Sequence, residues 1–380
     1  MRRLLILLVI SSIWLVSVAS TPVVTGAKVR LKAKKYQETV KVLEDNKAKY
    51  PDDPELFYYL AMAYSGIAQW VKAGENFGLA LQKNPKKGLR KDIDRWRDYH
   101  WTSFVKDASA LLEQKRFPAA IAKFRIANAI NPDRKESQAN MGVALLEQAY
   151  LYSSGDSAKP DSAKLFFDES IAKFERAIEL DPENDQFVKN LAQANLAAGN
   201  EEKAVEIYQD YLDNNPDDLQ AQRRLVNIYM ANKDFEKAAG IYDLMLEDVA
   251  AELGMSDIYN AGTCYYQVYF DYSKAEDEAG KEKSAEMLEK AGDCYSQVVE
   301  DDPTDCEAGT QLYYIYITQE KWEQVAEIIE GMLDNNCPRD YITLQNLGVS
   351  YIKMDQKKKA IEIFKEAETL KPKEGQEESN

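Results

Sequence analysis

The chain has 380 residues, 45% of them apolar, enough for a large core, and a formal net charge of −16 with a pI near 4.8. That balance argues against a nucleic-acid partner, which needs a basic face, and against docking on an anionic lipid surface. There is one histidine, His100, so a multi-histidine metal site is excluded. Cys/His zinc spacing and a Gly-rich phosphate loop are also absent, so no metal or cofactor, no small-molecule substrate and no enzyme activity are expected.

In chain order, Arg2 and Arg3 precede an apolar run over residues 4–19, and the small residues Ser17, Val18, Ala19 and Ser20 offer signal-cleavage sites. Such a run suits a signal-peptide core and falls short of the roughly 20 residues that span a bilayer. Lys28, Arg30, Lys32, Lys34 and Lys35 follow closely, and positive charge after an export signal resists translocation. Two readings of residues 1–20 therefore stand. One is a cleaved signal that exports the chain to a bacterial periplasm or cell envelope. The other is an uncleaved anchor over residues 4–24, the chain's one route to a membrane. No cysteine lies near the cleavage region, which argues against a lipoprotein.

Residues 21–53 read as a degenerate half repeat marked by Tyr36, Leu43 and Pro51. A helix preceding it would fall on residues 20–31, where the pattern is lost. A full pattern then recurs to residue 374. Its clearest unit, residues 341–374, holds Leu344, Leu347, Gly348 and Tyr351 on one helical face and Ala360, Phe364 and Ala367 on a second, and closes at Pro372. The small site of the first helix reads Ala61, Ala108, Gly142, Ala192, Val226, Gly262, Tyr313 and Gly348. The aromatic site of the second reads Phe77, Phe124, Phe174, Tyr208, Tyr242, Tyr295, Ile329 and Phe364. Tyr313 replaces a small residue, so packing must differ there. Glu368 stands where other repeats are apolar and marks the end of the stack; residues 375–380 are polar and expected to be disordered.

These residues resemble the tetratricopeptide repeat. The resemblance implies an all-α fold, a right-handed superhelical solenoid of stacked antiparallel helix hairpins, with about eight repeats over residues 54–374. Spacing between repeats leaves insertions near 88–100, 148–163 and 268–284, which either elongate hairpins or modify one face. His100 lies in the first among Arg95, Trp96, Tyr99 and Trp101. That cluster is either an exposed contact patch or a cover that packs on a neighbouring helix.

The four cysteines lie in two neighbouring repeats. Cys306 begins the first helix of its hairpin and Cys337 ends the second, and antiparallel helices bring those ends together. Cys264 and Cys294 also lie on paired helices. An even count in an exported chain permits Cys306–Cys337 and Cys264–Cys294 bridges; the alternative is four buried thiols.

The resemblance further implies that a stripe on the first helices lines a groove. Here it carries Asn140, Lys189, Asn190, Arg223, Arg224, Asn227 and Asn260, groups able to hold a peptide carboxylate or backbone. The expected function is a non-catalytic adaptor of the cell envelope that binds an extended peptide or a partner's acidic tail in that groove. The alternative is a structural subunit of an envelope assembly, contacting through its ends and inserted hairpins.

Overall fold

The computed structural model describes residues 20–154 and 158–372. The segment read as a signal or anchor (but for Ser20), residues 155–157 of the second insertion and the 375–380 tail lie outside them. The chain divides into two compact units, residues 1–204 and 205–380. The described residues form helices and no strand. In the first unit these are α1 (Pro22–Lys32), α2 (Tyr36–Asn46), α3 (Pro54–Gly66), α4 (Trp70–Gln82), α5 (Lys87–Glu113), α6 (Phe117–Ile130), α7 (Lys135–Ser153), α8 (Pro160–Leu180) and α9 (Asp185–Ala197). The unit boundary falls within α10 (Glu201–Leu212). The second unit continues with α11 (Leu219–Ala231), α12 (Phe235–Asp248), α13 (Met255–Tyr272), α14 (Glu278–Asp301), α15 (Cys306–Thr318), α16 (Trp322–Asp334), α17 (Tyr341–Lys353) and α18 (Lys357–Thr369).

Local chemistry starts and stops these helices. Asp53, Asp218, Asp277, Asp305 and Asp340 each accept a backbone N–H of the first turn, and Pro22, Pro54 and Pro160 sit where a missing N–H costs nothing. Seven first helices end alike, with a residue of positive φ (Lys34, Ala68, Lys115, Gly199, Lys233, Glu320, Asp355). The next amide then bonds a carbonyl five residues back, as Gln69 does to Tyr64 at 3.0 Å. Only one of the seven is glycine, so six hairpin turns carry a strained backbone that helix packing sustains.

The hairpin cores follow the two-site pattern of the sequence. A Cβ placed on Gly142 would lie 2.8 Å from the Phe174 ring, and one on Gly348 would lie 2.4 Å from Phe364. The small residue is therefore required by the aromatic ring of its own hairpin. Tyr313 reverses the arrangement. Its partner site holds Ile329, and both are buried in one cluster, so volume moves from the second helix to the first.

A second regularity ties hairpins together. Three residues after the small site a tyrosine recurs, and its hydroxyl reaches back to the preceding second helix. Tyr64 donates to Glu44 at 2.7 Å, Tyr265 to Asp243 at 2.8 Å and Tyr351 to Glu330; Tyr229 accepts from Gln209 at 2.7 Å. Lys72, Lys290, Lys359 and Lys237 lie over these same rings at 4.9–5.6 Å.

Three features differ from the sequence pattern. Residues 22–32 are helical although the repeat pattern is lost there: Thr21 caps α1, and Val24 and Ala27 bury completely against the next helices, so α1 and α2 form a two-helix hairpin. All three insertions lengthen helices. The extra turns of α5 carry Trp96 onto Phe77 (4.2 Å) and His100 between Trp96 and Trp70 (4.3 and 5.0 Å). The cluster thus packs on the preceding hairpin, with Tyr99 left exposed. Finally, the last hairpin is not wholly polar outside: beside Glu368, it exposes Ile342, Val349, Ile352 and Ile361.

Candidate interaction surface

The stripe residues fall into two sets. In the first unit, Asn140 on α7 and Lys189 and Asn190 on α9 are half-buried. The Asn190 carboxamide accepts from Gln186 one turn earlier on its own helix (2.9 Å). In the second unit, Arg223, Arg224 and Asn227 lie on α11 and Asn260 on α13.

Arg223 does not have the role expected of it. Its Nε donates to Asp257 Oδ1 at 3.0 Å and its terminal nitrogen to Oδ2 at 2.6 Å, a two-point grip across neighbouring first helices. The Asp257 side chain is only 12% exposed and also accepts the Gly254 N–H. The hydrogen bonds from Arg223 hold the guanidinium further toward its charged form. A buried carboxylate needs this partner, so Arg223 is bound within the fold and is not offered to a ligand carboxylate. Arg224 and Asn227 remain exposed. Asn260 sits beside the Tyr242 hydroxyl, whose pKa is driven up mainly by burial.

An aromatic surface lies beyond them on α13 and α15. Tyr259 sits edge-on to Tyr295 at 5.3 Å. Burial raises its pKa most, and a hydrogen bond to Glu307 on α15 adds to the shift. Tyr266 stands 5.5 Å from Tyr269 and close to Tyr314, and Tyr314 lies 4.6 Å from Tyr313. Tyr314 is 37% exposed and Phe270 55%. Tyr314 also borders an open cavity of about 820 Å³, lined with Thr310, Ile342 and Leu370. Tyr266 is not among the stripe residues expected from the sequence. A tyrosine at helical spacing, 259 and 266 on α13, was the signal that could have found it.

The cysteines separate. Cys306 and Cys337 are joined, their Cα atoms 5.5 Å apart. Cys264 and Cys294, the second candidate pair, are buried free thiols, and this corrects the expectation of a bridge there. Cys294 packs at the notch of Gly262, where a Cβ would meet its own at 3.1 Å. Cys264 is two residues on, about 200° around the helix, and lies close enough to Tyr242 of α12 to raise its pKa. Burial pushes both thiols up to about 12, which leaves them inert at neutral pH.

Among the described residues no group of acidic, histidine or cysteine side chains could hold a metal ion, and no helix is long and apolar enough to cross a membrane. What each unit presents is a set of partly or fully exposed first-helix side chains on packed helix hairpins. It defines a helical-repeat scaffold for protein interaction. Family models described as tetratricopeptide repeats match residues 163–218, 196–252 and 342–374, and the same hairpin geometry extends through the described chain. Residues 163–252 and 342–374 are thus tetratricopeptide repeats, carried in an all-helical chain.

No curated protein matches the sequence. Similar solved structures include a tetratricopeptide repeat protein from Parabacteroides merdae (15% identity, 73% of this chain and 95% of that one, TM-score 0.41). Another is the C-terminal part of a repeat protein from Cytophaga hutchinsonii (17%, 75% and 97%, TM-score 0.39). Human IFIT1, solved as a dimer with m7Gppp-AAAA, is also similar (16%, 90% and 88%, TM-score 0.32).

Proposed function

We propose that this chain is a non-catalytic adaptor of the cell envelope, and that it holds an extended segment of a partner protein on the first-helix face of its second unit. The observation that carries this reading is the run of accessible side chains on α11, α13 and α15: exposed Arg224, Asn227 and Tyr314, with half-buried Tyr266 between them. Aromatic rings bury much area for little entropy, and the amide and guanidinium groups orient a backbone. The envelope placement rests on the apolar residues 4–19 behind Arg2 and Arg3, and it is supported by the Cys306–Cys337 bridge, since such bonds persist in oxidising compartments.

One observation favours the assembly-subunit alternative: the apolar side chains exposed on α17 and α18, together with Leu165 on the lengthened α8. Photo-crosslinking of the full chain in its host separates the two. A crosslinking residue at position 266 or 314 is expected to trap a discrete partner, and one at 165 or 361 is not. Adducts confined to positions 165 and 361 would sink the adaptor reading in favour of the assembly subunit.

A further inference from the structure

We infer that the segment held on this face is cationic, a lysine- or arginine-bearing stretch of a partner protein, and not the acidic tail that the cationic stripe suggested. This deepens the proposed function and rests on it.

The first observation is charge. Residues 205–380 carry 38 acidic and 17 basic side chains, a net charge of −21, whereas residues 1–204 carry a net +5. The acidity of the protein therefore belongs to the unit that bears the tyrosine face. The second is that Arg223 is already consumed by Asp257, so the stripe in this unit keeps one exposed cation, Arg224.

The third is the state of the rings. The tyrosines that tie hairpins together are covered by lysines of this chain, as Tyr265 is by Lys290 and Tyr351 by Lys359. Among the described residues no lysine or arginine lies over Tyr259, Tyr266 or Tyr314. Glu307, exposed on α15, stands at the Tyr259 hydroxyl. A ring with a carboxylate at its hydroxyl, as Tyr259 has, attracts a cation twice, by the ring quadrupole and by charge.

The first unit contains an internal example of this pairing. Lys28 of α1 lies 5.2 Å over the ring of Tyr59 on α3, while its ammonium sits 3.0 Å from Glu55. A ring, a carboxylate and a lysine meet there on adjacent first helices. The second unit supplies the ring and the carboxylate, and the partner supplies the cation.

The test uses the full chain and three fluorescein-labelled peptides of equal length, one lysine-rich, one glutamate-rich and one uncharged, titrated by fluorescence anisotropy at low and moderate salt. The lysine-rich peptide is expected to bind and the other two are not. Tyr266→Ala with Tyr314→Ala should weaken binding by about tenfold, the scale of one or two cation–π contacts. Tyr266→Phe with Tyr314→Phe keeps the ring faces and should retain binding. Lysine-peptide binding that ignores the alanine changes is diffuse attraction to an acidic protein and overturns the inference. If the glutamate-rich or uncharged peptide binds in a tyrosine-dependent way, the inference also fails, while the adaptor reading stands. If no peptide of any charge depends on the tyrosines, both fail.

Discussion

Removal of the Cys306–Cys337 bond should loosen one hairpin by an amount that follows from loop length. The bond joins the first residue of α15 to a residue just beyond α16, so it closes a loop with a sequence separation of 31 around the whole hairpin. Loop-closure entropy for that separation is worth about 3.7 kcal/mol. Opening of α15 and α16 against the neighbouring hairpins should then rise on the order of several hundredfold when the bond is cut. A repeat array does not unfold in one step, so a single melting temperature is the wrong readout. Amide hydrogen exchange by mass spectrometry, comparing the oxidised chain with Cys306→Ser/Cys337→Ser, reads the segment directly. Protection should fall in α15 and α16 and stay unchanged in α3 to α6. Thiol counting gives the companion check. Under denaturing, non-reducing conditions two thiols, Cys264 and Cys294, should alkylate; reduction should raise this to four. Equal exchange in oxidised and variant chains would refute the entropy argument, and four thiols without reductant would refute the bond itself.

Other outcomes follow from the same geometry. Gly348→Ala places a Cβ 2.4 Å from the Phe364 ring and should destabilise the last hairpin by about 1–3 kcal/mol, read as lost amide-exchange protection in α17 and α18. Arg223→Ala strands the carboxylate of Asp257 and should lower the local stability of α11 and α13 by roughly 1–2 kcal/mol, discounted because Arg223 is itself partly exposed, read as faster amide exchange there, whereas Arg224→Ala should leave exchange unchanged; equal exchange for both would argue against the ion pair. Tyr64 and Tyr295 are each held up at about 12, chiefly by burial, against roughly 10 in an unfolded chain. A raised folded-state value means that their contribution is complete below pH 10 and is lost as pH climbs from 10 through 12. Tyrosinate absorbance should therefore lag in native protein and appear together with loss of helix; early, full ionisation with the helices intact would contradict this.

The hairpin architecture was legible in the sequence because each repeat solves the same packing problem with nearest neighbours. The small site and the aromatic site meet within one hairpin, so a spacing of residues such as Gly348 and Phe364 already encodes the contact. Capping aspartates and terminal prolines are likewise local. Even Cys306 and Cys337 could be paired on paper, since antiparallel helices return one end to the other. The helix over residues 22–32 was not legible, because α1 buries only Val24 and Ala27 and so carries no full repeat pattern.

The interaction surface needed tertiary structure, and for a physical reason. Residue type says what Arg223 could do; only the position of Asp257, 34 residues on and brought beside it by stacking, says that its charge is already spent. Whether a tyrosine is a tie or an open face depends on the same thing. Tyr265 and Tyr266 are neighbours in the chain, yet one turns inward to Asp243 and Lys290 while the other stands with Tyr269 and Tyr314. Helix rotation sets that difference. Sequence alone determined the repeats and their order; stacking decided which of their polar and aromatic groups are left over for a partner.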